Sequence, residues 1–171
     1  MCSRARSRSN LRADAVRRTA ILFAVILACA AADATDQPCR LQNARVERDI
    51  AERTARLQGN EYCEYRRYAV WDWDGDNLDD LAVTFNVEGA NGGGNNVSGY
   101  LLVYLSSRHE AAPLEAAVGE RGKYLPDALG AGAGRKLIVY TVAWGPRDPM
   151  CCASRRGSRV FKVLPSGLVR Q

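Results

Sequence analysis

The chain has 171 residues, with 24 Lys and Arg against 19 Asp and Glu and a formal net charge of +5. Six of the basic residues and one of the acidic residues precede Cys29, so the remainder balances at 18 of each and the positive excess belongs to the N-terminal segment. That balance excludes a retained basic face for nucleic acid, and a cluster such as Arg155, Arg156 and Arg159 reads as a solvated turn.

The N-terminal segment has its own logic. Arg17 and Arg18 precede "TAILFAVILACAAADA", a basic stretch, an apolar core of about ten residues and then small residues, which is the layout of a secretory signal. A spanning helix needs about 20 apolar residues, so residues 1–34 are expected to be a cleaved export signal and 35–171 a single domain. The stretch "ILAC", Ile26 to Cys29, resembles a bacterial lipobox. That resemblance implies lipidation of Cys29 and attachment to the membrane through the lipid alone. Ala30 to Ala32 and Ala32 to Ala34 offer ordinary signal peptidase the alternative small-x-small sites.

Export places the remaining cysteines, Cys39, Cys63, Cys151 and Cys152, in an oxidising compartment, where an even set reads as disulfides. Four cysteines allow three pairings. Adjacent Cα atoms lie about 3.8 Å apart, below the roughly 4.4–6.8 Å that a disulfide prefers. This favours tying Cys151 and Cys152 to Cys39 and Cys63. A zinc site lacks its C-x-x-C knuckle.

In "NARVERDIAERTARLQGN", Val46, Ile50, Thr54 and Leu57 recur at helical spacing, with Asn43 placed to cap the start and Gly59 to end it. Arg45/Asp49, Asp49/Arg53 and Glu52/Arg56 are spaced for ion pairs along the outer face. From Tyr65 onward, "YRRYAVW", "DLAVTFNVE", "SGYLLVYLSS", "LEAAVG", "RKLIVYTVAW", "SRVFKVL" and "GLVRQ" read as short strands. The intervening "GERGKYLPDALGAGAG" reads as hairpin and loop. Without long helical patterns between strands, the expected fold is α+β: an N-terminal helix packed on a mainly antiparallel meander.

The chemistry concentrates between the first two of these strands, in "WDWDGDNLDDLAV". Asp72, Asp74, Asp76, Asp79 and Asp80 occupy loop positions 1, 3, 5, 8 and 9, and Asn77 at position 6 tolerates the left-handed turn such a loop needs. An EF-hand requires a bidentate Glu at position 12, where this chain has Val83 inside a strand. The loop instead resembles the calcium turns of FG-GAP and VCBS-type repeats, which also run into an L-A-V-like strand. That resemblance covers about 13 residues. It implies side-chain ligation by Asp72, Asp74, Asp76 and Asp80 and a backbone ligand from Leu78, with Asp79 outward. Hard oxygen ligands without His or Cys favour Ca²⁺. The bland alternative is an acidic turn whose carboxylates bond their own backbone and pair with Arg66 or Arg67.

Other constellations are weaker. "GANGGGNN", Gly89 to Asn96, lacks the Gly-Lys-Ser/Thr ending of a phosphate loop and reads as a loop over the acidic turn, available to an envelope partner or ligand. His109 is the sole histidine and lies in a polar stretch far from any nucleophile motif. Trp71 and Trp73 flank Asp72 and read as core. The chain is thus expected to be a non-enzymatic, calcium-stabilised envelope protein. The alternative is a hydrolase or accessory protein for cell-wall or carbohydrate polymers that uses the acidic cluster.

Overall fold

The computed structural model describes residues 43–171 apart from 94, 95, 121, 150 and 151. The export signal, Cys29, Cys39 and Cys151 lie outside the described residues.

Helix α1, Ala44–Arg56, begins where the Asn43 side-chain oxygen accepts from the backbone N–H groups of Arg45 (3.1 Å) and Val46 (3.3 Å), two donors that the helix itself leaves without partners. Its end differs from expectation. Gln58, not Gly59, takes the left-handed conformation, at φ 52°. Gln58 N then donates to Ala55 O (3.0 Å) and Gly59 N to Thr54 O (3.2 Å), the paired bonds of a Schellman ending. Glycine at 59 serves packing instead: a Cβ there would collide with the carbonyl of Glu88 and the side chain of Val87.

Nine strands follow among the described residues: β1 (Asn60–Glu61), β2 (Arg67–Trp71), β3 (Asp80–Glu88), β4 (Val97–Tyr104), β5 (Leu114–Glu120), β6 (Tyr124–Gly132), β7 (Lys136–Ala143), β8 (Arg155–Leu164) and β9 (Gly167–Arg170). All pairings are antiparallel, and β3 to β9 form a meander in chain order. β1 and β2 share the other edge of β3. One helix on an antiparallel sheet is the expected α+β class.

The sheet does not stay in one layer. β5 and β6 pair only at Glu120 and Tyr124, and beyond that point the second half folds across the first. Ala82, Leu101, Val103 and Val118 from the first half therefore share a core with Leu137, Val139, Phe161 and Val163 from the second. On the opposite face of β3 and β4, Val83, Phe85, Val87 and Leu102 receive Val46 and Ile50 of α1. Each such fully buried aliphatic contributes about 1.5–3 kcal/mol. Burial on both faces explains why β3 reads as a near-continuous apolar run rather than an alternating one.

β6 is the strand that the sequence presents as hairpin and loop. Its Gly- and Ala-rich stretch has little intrinsic strand preference, yet it pairs along its length with β7, with a bulge between Pro126 and Ala128. Its contacts require small residues. A Cβ on Gly99 or Gly119 would lie 2.8 Å from Cδ of Pro126, and one on Gly130 3.0 Å from the Tyr140 ring.

The helix arginines also leave the pairs that their spacing suggests. Arg45 donates to the carbonyls of His109 and Ala111, and Arg53 pairs with Glu115, because packing α1 on the sheet brings these groups closer than the next helical turn. Arg66, with a side chain 4% exposed, is held between Glu47 of α1 and Glu61 of β1. Burial opposes its charge, but the bonds and charges of the two glutamates outweigh that and hold the guanidinium above its ordinary pKa.

Candidate metal centre

The connection from β2 to β3 is a turn organised by carboxylates. Two residues take positive φ, Gly75 at 87° and Asn77 at 65°, so the chain doubles back tightly and brings alternate aspartates together. Asp72 Oδ1 accepts from Gly75 N (2.5 Å) and Asp72 Oδ2 from Asn77 N (3.2 Å). Asp74 Oδ1 accepts from Asp76 N (3.2 Å), and Asp76 Oδ1 from Leu78 N (2.7 Å).

Asp80, the first residue of β3, is fully buried. Its Oδ2 accepts from the N–H groups of Trp73 (3.0 Å) and Asp74 (3.4 Å), and its Oδ1 from Ser106 N (2.9 Å). Desolvation pushes the Asp80 carboxyl above the usual carboxylate range, with the Asp74 charge acting in the same direction, while the backbone donors pull the other way. Trp73, 1% exposed, anchors the turn in the core, whereas Trp71 is 54% exposed. The pair of tryptophans expected as core is thus split.

Of the residues that the calcium resemblance implies, Asp72, Asp74 and Asp80 each bring a carboxylate oxygen within 4.8 Å of the others. This triad could hold a metal ion: its ligands are hard oxygens, and a carboxylate that accepts N–H bonds keeps lone pairs for a cation. Asp76 is not part of that group. Leu78 has an exposed side chain, and only its backbone carbonyl is implicated. Asp79 is exposed, and its carbonyl accepts from the Ser106 hydroxyl.

Three partners of this turn were not singled out in the sequence. Ser106 and Ser107 belong to the short 3-10 turn Ser106–Arg108 after β4, and Ser107 Oγ donates to Asp74 Oδ2 (2.9 Å). Arg135, in the β6–β7 turn at φ 61°, lays its guanidinium against Gly75 and donates from Nη1 to the Asp74 carbonyl (3.2 Å). It is the cation at this loop, in place of Arg66 and Arg67. Arg66 is committed to Glu47 and Glu61, and Arg67 donates to the carbonyls of Glu64, Arg66 and Asp127.

The Gly/Asn loop is not over the acidic turn. Glu88 pairs with Val97, which puts the described residues of this loop, 89–93 and 96, at the opposite end of β3 from Asp80, about 25 Å away at the usual strand rise. There Asn91 N donates to Leu57 O (2.7 Å) and Gly89 N to Asn96 O (2.8 Å). His109 is exposed. It borders an open groove of about 910 Å³ beside α1, lined by Arg45, Arg48, Asp49 and Arg53 among others, that includes none of the acidic triad. Cys63 and Cys152 are each disulfide-bonded. No described helix is long and apolar enough to cross a membrane. No family model, curated protein or solved structure matches the chain.

Proposed function

We propose that the chain is an exported, non-enzymatic envelope protein whose single domain is stabilised by calcium bound in the β2–β3 turn. The observation that carries this reading is the approach of Asp72, Asp74 and Asp80 within one tight turn. Three carboxylates at such separations repel one another unless a cation lies between them, and Arg135 reaches only the Asp74 backbone. A calcium ion takes 6–8 oxygen ligands at about 2.3–2.6 Å. The Asp76 carboxylate, the Leu78 carbonyl and water would complete the set. The export signal and lipidation of Cys29 belong to the same reading and place the domain in the periplasm, on or near the membrane.

Chelation with EDTA is expected to lower the melting temperature, and added calcium to restore it with a saturable heat in calorimetry. An unchanged melt together with no calcium heat would remove the reading. Replacing Asp74 and Asp76 by Asn should abolish both the heat and the stabilisation. A double variant that keeps full stability but loses hydrolysis of a cell-wall or carbohydrate polymer would favour the hydrolase alternative.

A further inference from the structure

Two polar side chains of β3 are shut inside the domain without a protein partner. Thr84 and Asn86 are each 0% exposed. Neither the Thr84 hydroxyl nor the Oδ1 or Nδ2 of the Asn86 amide meets a hydrogen-bond partner among the described residues. Arg67, cross-strand from Thr84, spends its donors on the carbonyls of Glu64, Arg66 and Asp127. A hydroxyl or amide buried without a bond costs its desolvation in full. If this part of the core were dry, Val and Leu would serve better at both positions.

We infer that ordered water lies between β3 and β6, shared by the Thr84 hydroxyl and the Asn86 amide. Strand alternation puts residues 84 and 86 on the same face as Ala82, the face turned toward the second half of the sheet. They stand roughly 7 Å apart along the strand, so their polar groups rise side by side into one space. The amide offers a donor at Nδ2 and an acceptor at Oδ1, and the hydroxyl rotates to supply whichever the water lacks. That meets the two to four polar partners a buried water takes.

The residues around the amide fit this placement. Gly99 of β4 lies opposite Asn86, and a Cβ there would be 2.8 Å from both Asn86 Oδ1 and Cδ of Pro126 in β6. The amide therefore sits at the crossing of the two halves of the sheet. Thr84 and Asn86 are both neutral, and the neighbouring core of Ala82, Leu101, Val103 and Val118 carries no charge. Such surroundings suit a small neutral molecule and give an ion nothing to pair with.

Magnetic relaxation dispersion of the water nuclei tests this on the full chain, because it registers waters held inside a protein for longer than the protein tumbles. The double variant Thr84→Val with Asn86→Leu removes all three polar atoms with little change of shape. It is expected to lose the signal of at least one long-lived water relative to the wild type. Denaturant midpoints give a second reading by sign. T84V deletes a hydroxyl that water satisfies, so its midpoint should fall, whereas deleting an unpaired hydroxyl would leave the midpoint unchanged or raise it. Should the double variant not fold, T84V alone carries both measurements. A variant that keeps the whole wild-type water signal overturns the proposal, and so does a T84V midpoint at or above that of the wild type.

Discussion

Two turns of this molecule are held by a carboxylate that gathers backbone N–H groups, and they differ in surplus charge. Between Gly145 and Ser154, Asp148 alone accepts from Gly145 N (2.7 Å), Ser154 N (2.9 Å) and the Ser154 hydroxyl. Between Trp71 and Asp80, Asp80 performs the same task for Trp73, Asp74 and Ser106, yet Asp72 and Asp74 bring carboxylate oxygens within 4.8 Å of it. One carboxylate suffices to order a turn. Asp72, Asp74 and Asp76 add N–H bonds of their own, and Asp72 and Asp74 with Asp80 also make a group that could hold a cation.

Environment divides the two anchors as well. Asp148 is only partly buried, and the Gly145 N–H, followed by the Ser154 donors, holds its carboxyl below the ordinary range. Asp80 is buried, and desolvation pushes its carboxyl up despite three donors. The same hydrogen-bond pattern yields opposite shifts because burial disfavours the charged form whatever its partners.

The sharpest way to break the comparison is Asp80→Ala. It strands three N–H groups around a buried site and should cost about 3 kcal/mol in chemical denaturation, with Asp148→Ala costing clearly less. Next is Gly75→Ala. Positive φ costs an alanine about 1–2 kcal/mol, and its Cβ would overlap the Arg135 guanidinium; a melt unchanged within error would show that the turn is not held in this conformation. The smallest effect concerns pH. A carboxyl depressed on folding contributes stability that is present above its unfolded value and is lost as pH falls through its folded value. Asp148→Asn should therefore lower stability at neutral pH and flatten the acid limb of the stability curve, so that variant and wild type converge once pH falls below the folded-state value of Asp148, as followed by denaturant midpoints across pH.

Local signals carried the elements whose residues decide their own geometry. Asn43 capped α1 as read, because its short polar side chain reaches the N–H groups two and three residues on without tertiary help. The strands rich in Val, Ile, Tyr and Phe formed near their expected bounds, and the aspartate spacing marked the turn that gathers three of them. β6 was illegible because Gly130 and Gly132 report what packs on them, not a preference of their own. Arg135, 55 or more positions from the aspartates it serves, leaves no local trace.

By itself, the sequence determined an α+β domain, a helix with a polar cap and a turn with more carboxylates than a turn needs, since spacing and side-chain chemistry act over a few residues. The tertiary structure alone decided that the sheet folds across itself at Glu120 and Tyr124, that Arg135 and Ser107 join the acidic turn, and that the Gly/Asn loop lies at the far end of β3. Each of these follows from which distant segments share a core. That is set by burying apolar surface from both halves of the sheet at once, a quantity no single segment carries.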